Sequence, residues 1–236
     1  MRGFNGGAMD KLLARARFFL YEKKRYKSAI AVAKKVLLSD KNNDEALFYV
    51  AHGLYYMGHL KQSLQYWKRL KKINPTDENL HLNMGACYED LGNRRLAIQY
   101  YKRELKLNPV SGEALYNLGG LCYRARRYRL AAAYLERCYS QKHAIEACVG
   151  KLAHSYFKTN QLEKEQILYE EFLQTKPNDT WALNNLGSHL MGQGEYHRAL
   201  LRLKKAGRID PKDRLVKKNI RKAERILRKL HATQSA

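Results

Sequence analysis

The sequence predicts an all-α protein built of tandem helix pairs, and three observations lead there. The strings Asn83-Met84-Gly85, Asn117-Leu118-Gly119 and Asn185-Leu186-Gly187 recur at one and then two intervals of 34 residues. The prolines keep the same frame: Pro75 and Pro109 lie one interval apart, as do Pro177 and Pro211, and His143 stands where a proline between the two pairs would fall. Four prolines among 236 residues leave almost the whole chain free to be helical. A fixed period of this length is the mark of a stacked repeat, in which each unit buries its apolar face only against its neighbours.

Taken in order, residues 1–9 (MRGFNGGAM) are glycine-rich and are expected to be disordered. The 34-residue frame then runs without insertion through 10–43, 44–77, 78–111, 112–145, 146–179 and 180–213. Each frame holds two helices. Gly58, Gly92 and Gly194 fall between them, where a residue with positive φ ends the first helix. Thr76, Ser111 and Asp179 follow the proline steps and are placed to cap the next helix. Gly85, Gly119 and Gly187 on first helices oppose Ala97, Ala131 and Ala199 on second ones, so that small side chains let the two approach, with Tyr88 and Tyr101 filling the flanks.

Two frames depart from this pattern. In the first, Arg17 replaces the small residue and Ala33 the aromatic one, as suits a terminal repeat with one uncovered face. In the fifth, Glu165 stands at the alanine position and the junction before it (140–146) has no proline; this predicts loose packing or an altered angle between repeats four and five, or else a pairing of Glu165 with a nearby lysine. Beyond the last frame, 214–236 predict a basic helix and tail. Val216, Ile220, Ala223, Leu227 and Leu230 share one stripe, and eight Lys/Arg against Glu224 fill the rest. This reads as a capping helix over the last repeat, or as a basic amphipathic helix resting on an anionic membrane or gripping an acidic partner.

The order of large residue, small residue, tyrosine, alanine, aromatic and proline resembles the tetratricopeptide repeat. Residues 78–111 carry it as Met84, Gly85, Tyr88, Ala97, Tyr101 and Pro109; residues 44–77 as Leu47, Val50, Ala51, Leu54, Ser63, Trp67 and Pro75; residues 180–213 as Leu183, Leu186, Gly187, Leu190, Ala199, Leu203 and Pro211. The resemblance implies a right-handed superhelical solenoid of antiparallel helix pairs, and a concave groove lined by the first helix of each pair.

Carried onto this sequence, the groove positions of the first two repeats are Phe18, Tyr21, Phe48, Tyr49, His52, Tyr55 and Tyr56, a composition favoured where proteins meet, though some of these tyrosines also suit the core. Asn83, Asn117 and Asn185 occupy one shared position, from which an amide can grip a peptide backbone at both N–H and C=O. Arg124, Lys151, Lys158 and His154, near Tyr116 and Tyr123, favour a carboxylate on the ligand. Glu89 and Asp90 make the third repeat locally acidic. The Lys and Asn pairs by which some relatives clamp a C-terminal carboxylate have no counterpart: the corresponding pairs run from Ala14/Phe18 to Asn184/Ser188.

The formal net charge is +23, which favours acidic partners: nucleic acid, an anionic membrane face or an acidic protein. Lys34-Lys35, Lys68-Arg69, Lys102-Arg103 and Lys204-Lys205 align on second helices, but Glu136-Arg137 and Glu170-Glu171 interrupt the stripe. Cys87, Cys122, Cys138 and Cys148 show no CxxC and read as reduced, buried small hydrophobes. With no apolar run long enough to span a bilayer and no visible secretory signal, the expected location is cytoplasmic. No HExxH, nucleophile elbow or phosphate-cradling loop is present, so neither enzyme activity, metal nor cofactor is expected. The expected function is a scaffold or adaptor whose groove receives an acidic, aromatic or apolar segment of another protein. The alternative is electrostatic binding of nucleic acid or membrane through the basic outer face and C-terminal helix; self-association end to end is a further possibility.

Overall fold

A computed structural model describes residues 6–77, 79–142 and 145–234 of the chain. It contains thirteen helices among the described residues: α1 Gly6–Tyr21, α2 Tyr26–Ser39, α3 Asp44–Tyr56, α4 Leu60–Ile73, α5 Leu80–Asp90, α6 Arg94–Leu107, α7 Gly112–Arg124, α8 Tyr128–Ser140, α9 Ile145–Lys158, α10 Leu162–Thr175, α11 Thr180–Gly192, α12 Tyr196–Ile209 and α13 Arg214–Gln234. The second helices of the six pairs begin at Tyr26, Leu60, Arg94, Tyr128, Leu162 and Tyr196, every start 34 residues after the last. Helix α1 begins at Gly6, so residues 6–9 are helical and not disordered as their glycines suggest; residues 1–5 and His143 lie outside the described residues.

α4 shows why these segments fold this way. Ser63, Leu64, Trp67 and Leu70 recur at helical spacing and are buried, while Lys61, Lys68, Arg69 and Lys72 face solvent. The turn between the helices of a pair is closed at one position throughout. Gly58, Gly92 and Gly194 take φ of +77°, +77° and +81°, as their glycines predict. Lys24, Arg126 and Asn160 hold the same place in the other three pairs, at φ of +49° to +57°. First helices are capped where the frame puts a short polar residue: Asn43 accepts from the Ala46 N–H, Asp179 from Ala182 and Asp213 from Leu215 and Val216. Ser111 accepts from Ala114, whereas the Thr76 hydroxyl donates to Asn74 Oδ1.

The chain divides into two compact units, Met1–Leu121 and Cys122–Ala236, the division falling within α7. In the first, α1 to α6 pack each against the next in order. Its core is a cluster of Leu13, Leu20, Val36, Val50 and Leu54 with their small neighbours, continued by Leu47, Leu64, Trp67, Leu70 and Met84. Gly85 makes room for an aromatic ring and not chiefly for Ala97: a Cβ there would lie 2.5 Å from the Tyr101 ring. In the second unit, α8 to α13 again pack in order, and α13 also reaches α11. A Cβ at Gly187 would come within 2.6 Å of Leu203 and 3.3 Å of the Ala199 carbonyl.

The irregularity at Glu165 appears neither as loose packing between repeats four and five nor as a pairing with lysine. Helices α8 and α9 pack closely across the proline-less junction, with the buried Cys138 and Cys148 sulfurs 3.0 Å apart. Contact is sparser inside the fifth pair, between α9 and α10, than in the α3/α4, α5/α6 or α11/α12 pairs. Glu165 is buried and meets no lysine; its Oε2 lies 3.1 Å from Nδ1 of His189 on α11. Burial pushes the Glu165 carboxyl above its ordinary range, and the neighbouring His189 opposes the shift. Of the four cysteines, three are buried as expected and Cys122 is only half-buried.

Candidate functional site

In the first unit, α1 and α3 bring most of the expected aromatic residues together. His52 is the hub. Phe48 stacks on it at 4.5 Å, and Trp67, Tyr56 and Tyr21 present their edges or faces at 5.3, 5.7 and 6.2 Å. Tyr56 in turn stacks on Tyr26 at 5.1 Å and meets Tyr55 at 5.6 Å. The outer layer is open to solvent: Phe18, Tyr21 and Tyr56 are 45%, 43% and 49% exposed. Trp67 is fully buried and forms the floor. Both ring nitrogens of His52 are shielded, and burial drives its pKa down to about 4, opposed in part by the Asn83 side chain. The imidazole is therefore neutral near pH 7 and acts as one more flat ring.

Tyr49 does not belong to this surface. It is buried in the core, with its ring edge-on to Phe48 at 5.9 Å, and its hydroxyl donates to Glu45. The helical step of about 100° turns Tyr49 away from solvent, whereas Phe48 stays on the side of His52. Beside Phe18 lies a cavity of about 500 Å³ lined by Leu13, Ala14, Arg17 and the carboxylates of Asp10, Glu22 and Glu45. The acidic character expected of the third repeat is partly internal: Glu89 accepts from the Tyr101 hydroxyl at 2.8 Å, and the Tyr55 hydroxyl bonds to Asp90. Asn117 and Tyr116 are half-buried on α7, and Asn83 is half-buried on α5.

In the second unit, a smaller aromatic cluster surrounds His154. Tyr123 and Tyr128 contact its ring at 5.5 and 5.7 Å, and Phe157 lies at 6.5 Å with Lys158 over its face. Burial, and then the Lys158 charge, lower the His154 pKa. Arg124 and Lys158 are exposed, and Lys151 is half-buried. Asn185 is not free to grip a ligand with its amide, which donates to the Trp181 carbonyl at 2.8 Å.

The sequence missed Tyr26, Tyr128 and Trp67 as parts of these clusters, although Tyr26 and Tyr128 share the first position of a second helix. It also missed Phe157 and Trp181, which are 55% and 45% exposed. The basic stripe of the first unit is partly consumed. Arg69 donates to the Lys41 carbonyl and lies over Tyr66, and Arg103 lies over Tyr100. No described helix is long and apolar enough to cross a membrane.

The Tetratricopeptide repeat family matches residues 83–142 and, through a second model of that family, residues 182–215. The family of Anaphase-promoting complex, cyclosome, subunit 3 matches residues 22–104. No curated protein matches the sequence. Among solved structures, the C-terminal part of a TPR repeat-containing protein from Cytophaga hutchinsonii superposes with a TM-score of 0.74 at 16% identity, over 94% of this chain and 88% of that one. YrrB, described as a TPR protein with an unusual peptide-binding site, superposes at 0.64 and 18% identity over 78% and 95%. A chain of the APC/C hetero-tetramer Cut9–Hcn1 superposes at 0.59 and 18% identity; this chain spans only 42% of its length while 91% of this chain is covered. At such identities the likeness is one of fold. With two matches to models of this family and second helices that begin every 34 residues, the chain is a tandem tetratricopeptide-repeat protein.

Proposed function

We propose that this protein is a non-catalytic interaction scaffold, and that the α1/α3 surface receives a short segment of a partner protein through an apolar or aromatic anchor. The observation that carries this reading is the exposure of Tyr21 and Tyr56 against a floor of Phe48, His52 and Trp67, with Phe18 exposed one turn before Tyr21 on α1. Three large rings left open to water on two neighbouring helices cost solvation that a partner would recover. Rings already held by stacking lose little side-chain freedom on binding, which is the property of interface hot spots. The cavity beside Phe18, with three carboxylates and one arginine, favours a cationic group flanking the anchor. An acidic segment fits Arg124, Lys151 and Lys158 of the second unit better.

The test is affinity capture from the native cell with wild-type protein and with Phe18→Ala/Tyr21→Ala/Tyr56→Ala. All three side chains are exposed, so helix content by circular dichroism is expected to be unchanged. At least one partner should fall by tenfold or more; an identical set of partners would sink the reading.

A further inference from the structure

Helix α13 continues the register of the repeat, but its side chains refuse what the register offers. In α11, Leu183, Gly187 and Leu190 lie on the side against which α12 packs, and Gly187 lets Leu203 close onto the helix. One period later the same places hold Lys217, Arg221 and Glu224. A helix cannot dock on Arg221 as α12 docks on Gly187. The side is instead a shallow groove of about 510 Å³, lined entirely by Arg214, Lys217, Lys218, Arg221, Lys222 and Arg225.

These six fall into two rows, Arg214–Lys218–Lys222 and Lys217–Arg221–Arg225, each with a step of four residues, or about 6 Å along the helix. Like charges at this spacing repel and destabilise the helix that carries them. None of the six side chains makes a hydrogen bond or ion pair among the described residues, and the one carboxylate of the helix, Glu224, is engaged by Lys204 at 3.4 Å. The opposite face is occupied: Val216, Ala223 and Leu227 are buried, and α13 packs on α12 and α11. Leu215 and Leu230 are exposed only singly, at its two ends. An amphipathic membrane helix needs its apolar face for the bilayer, and here that face is spent.

We propose that this groove binds the sugar–phosphate backbone of a nucleic acid. A ladder of cations at constant step suits a ligand whose charge also recurs at constant step, whatever its sequence. The groove offers no apolar, aromatic or amide group with which to read the side chains of a peptide, and phosphate contact requires none. This inference is independent of the aromatic surface on α1 and α3.

The test uses the full chain and a fluorescently labelled 20-nucleotide oligo-dT, with anisotropy read across a salt series. Log affinity should fall linearly with log salt, with a slope of about −3 to −4 for four to six phosphates neutralised on a single strand. Lys217→Gln/Lys218→Gln/Arg221→Gln/Lys222→Gln should weaken binding at least tenfold and flatten the slope. The same number of glutamines at Lys34, Lys35, Lys61 and Lys68 should change it by no more than about threefold, the generic effect of net charge. In the wild type, oligo-dT should slow amide hydrogen exchange within 214–225, which keeps the test decisive if the fourfold variant folds poorly. Unchanged binding by that variant, no protection in α13, tighter binding of poly-glutamate at matched charge, or binding of anionic phosphatidylserine vesicles without binding of oligo-dT would each overturn the proposal.

Discussion

The α5/α6 and α9/α10 pairs occupy the same frame and are closed by opposite means. In α5/α6, Gly85 yields its space to the Tyr101 ring, and the Tyr101 hydroxyl reaches back to Glu89. The pair is sealed from within. In α9/α10 the glycine position is Ala153 and the facing position is Glu165, whose carboxylate finds its polar partner on α11, outside its own pair. A regular repeat keeps its best contacts to itself, whereas the irregular one borrows from its successor. The fifth repeat should therefore depend on the sixth for stability more than the third depends on its neighbours.

The largest effect should come from His189→Ala, which strands the Glu165 carboxyl in the interior. We expect a loss of about 3 kcal/mol in urea unfolding, and the double change Glu165→Ala/His189→Leu should restore most of it. If the two single losses simply add, the pair is not coupled.

A second contrast is between two shielded imidazoles, His189 and His52. His189 has a carboxylate beside it, whereas His52 lies among rings with a pKa held down to about 4. Its folded pKa is below the unfolded value of about 6.5, so the unfolded chain binds the proton more readily. The stability that neutral His52 confers is complete above about pH 6.5 and is lost as pH falls toward 4, by at most about 3 kcal/mol. His52→Phe should remove that part of the acid sensitivity in thermal unfolding from pH 7 to 4; an identical pH profile in the variant would contradict it.

Gly85→Ala should cost about 2 kcal/mol, because the new methyl overlaps the Tyr101 ring, whereas Ala153→Gly should cost no more than about 1 kcal/mol. Equal effects would erase the contrast between the pairs. The smallest effect runs the other way: Arg126→Gly should stabilise by about 0.5–1 kcal/mol by relieving a left-handed residue that carries a Cβ. Gly92→Ala should lose a similar amount.

Much of the fold was legible because glycine and proline mark backbone geometry directly. Gly58, Gly92 and Gly194 announced their turns; Lys24 and Arg126 did not, since nothing in a basic side chain signals positive φ. The candidate surface was legible as to residue type and only partly as to direction. Phe18, Tyr21 and Tyr56 are exposed, whereas Tyr49 turns inward to Glu45 and the Asn185 amide turns to its own helix. The partner of Glu165 could not be read at all, because it stands 24 residues away on another helix and is a histidine among eight scattered ones.

The six left-handed turn residues bear on how such a chain drifts. Glycine, lysine, arginine and asparagine all serve at that one place, so the turn is defined by a backbone shape and not by one residue type. Between residues 142 and 182 neither family model finds its pattern, yet α9 and α10 keep the register to the residue at the start of α10. At α10 the backbone holds the place of the repeat although a carboxylate stands where alanine should pack, because a side chain of the following repeat meets that carboxylate.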